Sequence, residues 1–153
     1  MKTWDLVHLI VKTHDNLKQE QFALQLIYQF DQIFRAENLK LKLRPYEVLS
    51  LGPDCGVMEM IKDSITIDSL KRKMYENYKD LSNLNQFFQF HYGPKLDAAR
   101  NNFCSSLAAY SIVCYILQIK DRHNCNILLH KDGYLIHIDF GFFLSNMPGF
   151  LFC

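Results

Sequence analysis

Four side chains that can carry chemistry lie close together in residues 120–141, "KDRHNCNILLHKDGYLIHIDFG". Asp121, His123, Asn126 and Asp139 supply two carboxylates, an imidazole and an amide beside two runs of Ile and Leu. Carboxylate and amide oxygens are ligands that hard cations such as Mg²⁺ prefer, and His and Asp are common proton acceptors in catalysis. This set is typical of phosphoryl transfer, which needs metal ions on the phosphate oxygens and a group near the attacking hydroxyl.

The dipeptide Asp132-Gly133, between the two apolar runs, predicts a β-hairpin with a two-residue turn. In that register Asn126 faces Asp139, with their Cβ atoms about 5 Å apart, close enough to share one Mg²⁺. A loop of odd length would shift the register by one residue and separate the pair.

The spacing of the polar residues gives a second indication of the same chemistry. Asp121 precedes Asn126 by five residues, the spacing of the Asp and Asn in the protein-kinase catalytic loop, and residues 139–141 read Asp-Phe-Gly. The triplet at 121–123, however, is Asp-Arg-His, the reverse of the protein-kinase order. Both Asp121 and His123 are therefore candidates for the base.

Before residue 62 the sequence predicts a sheet and one helix, which would position this region. The predicted elements are a strand at Leu6–Val11, an amphipathic helix from Leu17 to about Glu37 with Asp15 or Asn16 as its cap, a strand region at 39–51 with an edge or bend at Pro45, a turn at 52–56 and a short apolar run at 57–61.

Helices dominate the chain after residue 62. Shorter helices are predicted at Asp68–Lys79 and Asn83–Phe90, and a long one begins at Pro94. Its apolar stripe predicts the buried centre of a helical layer and consists of Leu96, Ala99, Phe103, Leu107, Tyr110, Val113, Cys114 and Leu117.

Composition narrows the class of protein. The 153 residues are 49% hydrophobic and 22% charged, which is ordinary for a globular domain, and the net charge of +1 argues against a nucleic-acid partner. Five cysteines without a CxxC motif favour reduced thiols in the cytosol. No stretch approaches the roughly 20 apolar residues that span a bilayer, so the expectation is a soluble or peripheral protein.

The reversed triplet followed by "HIDFG" resembles the phosphatidylinositol 3- and 4-kinase family, whose members carry D-R-H-x-x-N and then I-D-F-G. Residues 9–27, "LIVKTHDNLKQEQFALQLI", resemble the family's lysine strand and the start of its next helix. Residues 43–64 are similar to its pocket tyrosine and hinge, and residues 111–124 to the helix before its catalytic loop. Trp4 and the hairpin at 126–129 make the likeness closest to the type III phosphatidylinositol 4-kinases of the beta form.

The resemblance implies a role for ten residues. Lys12 would contact the ATP phosphates, with Glu20 as its partner from the helix, and Tyr46 would line the inner pocket. The remaining implied roles are a hinge at Glu59, Met60 and Ile61 whose backbone reads adenine, Mg²⁺ ligands at Asn126 and Asp139, and a base or transition-state stabiliser at His123 or Asp121. The family pattern favours His123 as the base, whereas the protein-kinase spacing favours Asp121. Arg122 is expected to be a structural anchor.

The fold that the resemblance implies is α+β, a bilobal protein-kinase-like domain that is incomplete at both ends. Residues 1–62 would be part of the N-lobe and residues 63–153 part of the C-lobe. The implied activity is transfer of the ATP γ-phosphate to the 4-hydroxyl of phosphatidylinositol. The expected location is cytoplasmic, peripheral on Golgi or endosomal membranes, with membrane-recruiting regulatory proteins as possible partners.

The chain departs from the family pattern at two positions that depend on backbone conformation. His14 stands where the family has Gly, and Cys125 replaces a residue that is often Gly. Each is tolerable only where the backbone does not require a positive φ. Only eleven residues precede Lys12 and fourteen follow Asp139, so the sequence is expected to be a central slice of a kinase domain.

Three other interpretations compete with the lipid kinase. One is a protein serine/threonine kinase related to phosphatidylinositol 3-kinase, which shares the core motifs, and the second is a binding module without catalysis. The third is a zinc site formed by His123, Cys125, His130 and His137, but their spacing fits no familiar zinc finger.

Overall fold

The computed structural model describes residues 6–77 and 83–145, and it is a mixed α+β structure. The elements are, in chain order, β1 Leu9–Thr13, α1 Lys18–Ala36, β2 Val48–Ser50, β3 Cys55–Glu59, β4 Ser64–Thr66, α2 Ile67–Asn77, α3 Leu84–Tyr92, α4 Leu96–Ile116, β5 Ile127–His130 and β6 Leu135–His137. Short 3₁₀ turns at Gly93–Lys95 and Asn124–Asn126 precede α4 and β5. The α+β class predicted from the sequence is confirmed.

The first sheet has the antiparallel order β1-β3-β2 and packs against α1. At the centre of this sheet, Gly56 allows the start of α1 to approach, since a Cβ there would lie 2.7 Å from the Leu17 side chain and 2.6 Å from the Leu49 carbonyl oxygen. Leu17, Ala23 and Ile27 are fully buried beneath the sheet. Helix α1 follows the predicted bounds closely.

The strand region predicted at 39–51 is wrong over most of its length, because only Val48–Ser50 is a strand. Pro45 has no N–H to donate to a ladder, and neighbouring backbone groups are bound elsewhere. The Arg44 backbone bonds to the Tyr110 hydroxyl and the Lys40 carbonyl accepts from Ser105. The first strand also begins later than predicted, at Leu9.

The second sheet has the order β4-β5-β6, and its hairpin differs from the predicted one. Ile127 faces His137 and Leu129 faces Leu135, so the register is shifted by one residue and the prediction that Asn126 faces Asp139 is wrong. The reason is a three-residue loop, closed by a bond from the Gly133 N–H to the His130 carbonyl and ended by Gly133 at φ +90°. This is the three-residue hairpin with a left-handed final residue.

Helix α4 begins where Pro94 predicted, but it is buried on one side only. Tyr110 and Val113 are almost fully buried and belong to the core beneath α1, whereas Ala99 packs against β5 and β6. Leu107, which the predicted stripe placed inside, is exposed, as are Ile112, Tyr115 and Ile116. In the described ranges, therefore, α4 is not the centre of a helical layer, and no helix there is long and apolar enough to cross a membrane.

Candidate active site

A cavity of about 510 Å³ lies between the two sheets. Eight of the ten predicted site residues line it: Lys12, Glu20, Tyr46, Glu59, Met60, Ile61, Asn126 and Asp139. The first and the last of these residues are more than a hundred positions apart in the sequence. The fold therefore brings together the predicted phosphate, adenine and metal groups, while Asp121 and His123 lie beside Asn126 outside the cavity wall.

Lys12, on β1, reaches across to the first turn of α1. Its ammonium lies 3.8 Å from a Glu20 carboxylate oxygen and donates to Asp15 at 3.2 Å. Burial lowers the pKa of Lys12, but the carboxylates of Glu20 and Asp15 outweigh this and raise it above its ordinary value. Lys12 therefore carries a positive charge at the cavity wall, and the predicted cap residue Asp15 holds Lys12 instead of capping the helix.

Glu20 and Tyr46 form a buried pair behind Lys12. The Tyr46 hydroxyl donates to Glu20, and both side chains are almost fully buried. Burial raises the pKa of the Glu20 carboxyl above its ordinary range, although the hydrogen bond from Tyr46 and the charge of Lys12 oppose the shift. Burial and the nearby Glu20 also raise the pKa of Tyr46, so its hydroxyl stays protonated and remains a donor.

Tyr46 also connects this pair to Asp139, because its hydroxyl accepts a hydrogen bond of 3.1 Å from the Asp139 N–H. Asp139 adopts φ +60°, an uncommon conformation for a residue with a Cβ. Arg122 fixes the same backbone from the other side by donating to the carbonyls of Ile138 and Asp139. The prediction that Arg122 is a structural anchor is confirmed.

Asn126 lies at the end of the loop before β5, and it is tied to the Asp139 segment by a 3.0 Å bond from the Ile138 N–H to its carbonyl. Its side-chain Nδ2 donates to the Asp121 carbonyl at 3.0 Å. Its Oδ1 makes no hydrogen bond within the described part of the chain and is not fully enclosed. One amide oxygen and one carboxylate on one cavity fit Mg²⁺, which commonly takes one or two protein ligands and completes its shell with phosphate and water.

One backbone N–H of the predicted hinge is available to bind a ligand. The Glu59 N–H donates to Glu47 and the Met60 N–H donates to His8, at 2.8 and 2.9 Å. The Ile61 N–H makes no hydrogen bond within residues 6–77 and 83–145. Of the three predicted hinge residues, Ile61 is thus the one whose N–H can pair with a ligand.

Asp121 and His123 form a pair at the outer edge of the site. His123 Nε2 lies 3.7 Å from an Asp121 carboxylate oxygen, and both side chains are exposed. His123 Nδ1 accepts a hydrogen bond of 3.2 Å from the Cys125 N–H. His123 Nε2 lies 3.4 Å from the Asn126 amide nitrogen, so both ring nitrogens face an N–H donor. Cys125 has no positive φ, so its substitution for a small residue is tolerated.

Comparison with known proteins gives this geometry a context. The phosphatidylinositol 3- and 4-kinase family matches residues 6–152. The chain belongs to this family. It is 47% identical over 149 residues to phosphatidylinositol 4-kinase beta 1 of Arabidopsis thaliana, covering 95% of this chain and 13% of that protein. A phosphatidylinositol 4-kinase of Dictyostelium discoideum is 47% identical over 150 residues, covering 95% and 12%.

A vertebrate relative in this kinase family, phosphatidylinositol 4-kinase beta of Xenopus laevis, is 43% identical over 148 residues, covering 95% of this chain and 18% of that protein. The chain thus spans less than a fifth of the length of these curated relatives. The family and the likeness to the beta form, both predicted from motifs, are confirmed.

Sequence reasoning missed part of the cavity wall of this kinase family member. Ser64, Thr66 and Ser69 line the cavity from β4 and the start of α2, and Ile10, Met58, Leu128 and Ile138 supply apolar surface. The serines and Thr66 lie in a polar stretch with no periodic signal. Of the apolar residues, Ile10 could be found from the sequence, because it lies two residues before Lys12 on β1 and so shares its face.

The zinc interpretation gains no support from the side chains of the described ranges. No group of three or more His, Cys, Asp or Glu residues that could hold a metal ion occurs there. His137 is instead buried against α4, where its ring stacks on Tyr110 at 4.3 Å and its Nδ1 lies 3.5 Å from the Cys114 sulfur.

Proposed function

We propose that the protein containing this chain is a phosphatidylinositol 4-kinase, which transfers the γ-phosphate of ATP to the 4-hydroxyl of phosphatidylinositol. Family membership and the names of the relatives support a lipid kinase. The observation that carries the proposal is the cavity that unites Lys12, Glu20 and Tyr46 with Asn126 and Asp139. Two sheets on opposite sides of this cavity agree with a bilobal kinase-like arrangement, residues 1–62 belonging to one lobe and 63–153 to the other.

ATP would bind with its adenine between apolar walls and its phosphates toward Lys12. Met58 and Leu128 face the cavity and can bury the base, while the Ile61 N–H and the hinge carbonyls provide its polar partners. The ammonium of Lys12, held by Glu20, is a fixed positive charge for the phosphate oxygens. The Tyr46 hydroxyl keeps Glu20 and the Asp139 backbone in one arrangement.

Asn126 and Asp139 would hold Mg²⁺. When bound, the ion would neutralise negative charge on the phosphate oxygens, which lowers the barrier to transfer. The protein's part is to hold the two ligands in place, and it does so through the Ile138–Asn126 backbone bond and through Arg122.

The lipid hydroxyl would approach the exposed edge formed by Asp121 and His123. Both ring nitrogens of His123 already face N–H donors, the Cys125 N–H at Nδ1 and the Asn126 amide at Nε2, so neither offers an unengaged lone pair to the lipid hydroxyl. The Asp121 carboxylate, 3.7 Å away, has lone pairs available. We therefore assign Asp121 as the proton acceptor, although the family pattern in the sequence favoured His123 as the base.

The substrate lies in a membrane, so the protein would act as a peripheral protein at the cytosolic face of Golgi or endosomal membranes. Membrane-recruiting regulatory proteins would bring it there. This location and these partners are the ones that the family resemblance implies.

The test determines which molecule accepts the phosphate and at which position the lipid product carries it. The protein is incubated with Mg·ATP and either phosphatidylinositol vesicles or serine/threonine peptides, and the lipid product is separated by the position of its phosphate. Formation of phosphatidylinositol 4-phosphate is the expected result. Phosphorylation of peptide alone would replace the proposal with a protein kinase, and phosphate at the 3-position would replace it with a phosphatidylinositol 3-kinase.

A binding module without catalysis gives a different pattern. Such a module would not bind ATP, so Mg·ATP would leave the melting temperature unchanged, since a ligand raises it only by binding the folded state, and no phosphate would reach lipid or peptide.

A further inference from the structure

Arg44 lies behind the hinge, on the side away from the cavity. Its guanidinium donates to both carboxylate oxygens of Glu59, one of the two bonds being 3.2 Å long. It also donates to the Pro45 carbonyl at 2.6 Å. Glu59 lines the cavity and Arg44 does not, so Arg44 acts on the cavity only through Glu59.

Glu59 is held by more than Arg44. The same carboxylate accepts from the Glu47 N–H at 3.2 Å, and the Glu59 N–H donates to the Glu47 carbonyl at 2.8 Å. The side chain and backbone of the last residue of β3 are therefore both fixed to the segment that carries Arg44. Two residues further on, Ile61 offers the N–H that is available to a ligand.

The Arg44 backbone is in turn fixed to α4. The Tyr110 hydroxyl accepts from the Arg44 N–H and donates to the Arg44 carbonyl, both at 3.3 Å. Tyr110 is only 1% exposed and its ring stacks on His137. A continuous set of contacts thus runs from the buried core, through Tyr110 and Arg44, to Glu59.

The geometry distinguishes this contact from an ordinary surface ion pair. Exposed pairs contribute little because two long side chains must be ordered. The two parallel bonds from Arg44 to Glu59 fix orientation as well as distance, and a lysine cannot make this bidentate contact. Both side chains are also partly buried, at 37% and 25% exposed.

We propose that Arg44 is a positioning residue that holds Glu59, and through it the Ile61 N–H, in the orientation that binds adenine. The inference rests on the proposed ATP-binding function. It predicts that Arg44 affects recognition of the base and not of the phosphates, because Lys12, Asn126 and Asp139 make no contact with it.

The experiment compares the dissociation constants of Mg·ATP and Mg·GTP for the wild-type protein and for Arg44→Met, Arg44→Lys and Tyr110→Phe. Arg44→Met is expected to weaken ATP binding about tenfold while changing GTP binding less than about twofold, since N1 of adenine can accept from the Ile61 N–H whereas N1 of guanine carries a proton and cannot. Arg44→Lys is expected to weaken ATP binding nearly as much, and Tyr110→Phe in the same direction by less.

Arg72→Met is the matched control, because it removes an exposed arginine that pairs with Asp68 within α2. It is expected to leave both dissociation constants unchanged. Equal weakening of ATP and GTP by Arg44→Met would reduce Arg44 to a structural residue and overturn the inference. Unchanged ATP affinity in both Arg44→Met and Arg44→Lys would overturn it as well.

The same dissociation constants distinguish a failure of this inference from a failure of the proposed function. A wild-type protein that binds no Mg·ATP contradicts the proposed function and the inference together. A wild-type protein that binds Mg·ATP, with Arg44 variants that bind it equally well, contradicts the inference alone. If Arg44→Met does not fold, Arg44→Lys and Tyr110→Phe still give the ATP-to-GTP ratio that decides the matter.

Discussion

At the residue scale, the site consists of charged and polar groups whose neighbours fix both their protonation and their direction. Glu20 is buried between Lys12 and Tyr46, and Asp139 is held by Tyr46 and Arg122 through its backbone. Asp121 and His123 are different, because they are exposed and, among the residues that the structure describes, touch only each other and the adjoining loop. That exposure suits a pair that meets a second substrate from outside the cavity.

The proposed roles of Asp121 and His123 can be tested by replacing each residue. Asp121→Asn is expected to lower kcat by about a hundredfold or more, the usual contribution of a general base, while His123→Gln lowers it less. Asn is the replacement of choice because it tolerates the positive φ of 58° at this position. Steady-state kinetics at saturating Mg·ATP provide the comparison, and a larger loss in His123→Gln would return the role of base to His123.

From the sequence, His14 is expected to be tolerable only if its backbone does not require a positive φ. It adopts φ +60°, which costs a residue with a Cβ about 1–2 kcal/mol. His14→Gly is therefore expected to raise the free energy of unfolding by up to about 1 kcal/mol, after the entropy cost of Gly is subtracted. Urea unfolding measures it. His14→Ala, which loses the same side chain but retains a Cβ, should show no gain, and an equal gain would assign the effect to the imidazole.

At the element scale, the sequence predicted the helices well and the hairpin poorly. Helix periodicity depends on residues within one element, so α1, α2, α3 and the start of α4 were found from the apolar pattern. The hairpin register depends on whether Lys131 belongs to the loop, and Asp-Gly favours a two-residue turn as readily as it ends a three-residue one. Packing of Gly133 against α4 decides between them, and no local pattern reports it.

Gly133 therefore tests the hairpin. A Cβ at this position would lie 2.7 Å from the Ala99 carbonyl oxygen and 2.8 Å from its Cα. Gly133→Ala is expected to lower the free energy of unfolding by about 2–5 kcal/mol, from the clash and the positive φ together. Gly93→Ala is the control, since Gly93 also has a positive φ but no atom within 4 Å of its Cβ position. Equal losses in denaturant unfolding would show that the contact with Ala99 is unimportant.

The packing of β6 on α4 makes stability depend on pH. Burial, with a smaller contribution from Arg122, lowers the pKa of His137 to about 4, whereas an unfolded His titrates near 6.5. Between these values the unfolded chain binds more protons, so stability is expected to fall by about 3 kcal/mol as the pH drops from about 6.5 to about 4.

His137→Phe retains the stacking on Tyr110 but cannot titrate, so its unfolding free energy should vary less over this range. Chemical denaturation at a series of pH values compares it with the wild-type protein. His8→Phe, at an exposed position, is the matched control. A profile as steep in His137→Phe as in the wild-type protein would show that another group is responsible.

At the scale of the whole molecule, the site exists because two sheets face one cavity. Lys12 and Glu20 lie on one side, and Asn126 and Asp139 come from the hairpin on the other. The motifs predicted which residues belong to the site, because phosphoryl transfer restricts their types and spacing. They could not predict Ser64 and Ser69 in the wall, nor Arg44 behind the hinge, because those positions depend on how distant segments meet.

Asp139 and its neighbours are proposed to support transfer of phosphate from ATP to phosphatidylinositol. The most direct measurement is transfer of labelled γ-phosphate from Mg·ATP to phosphatidylinositol vesicles by the wild-type protein, by Asp139→Asn and by the control Asp97→Asn, an exposed acidic residue at the start of α4. We expect transfer by the wild-type protein and by Asp97→Asn, and loss of transfer in Asp139→Asn without loss of fold. Full transfer by Asp139→Asn would contradict this proposal.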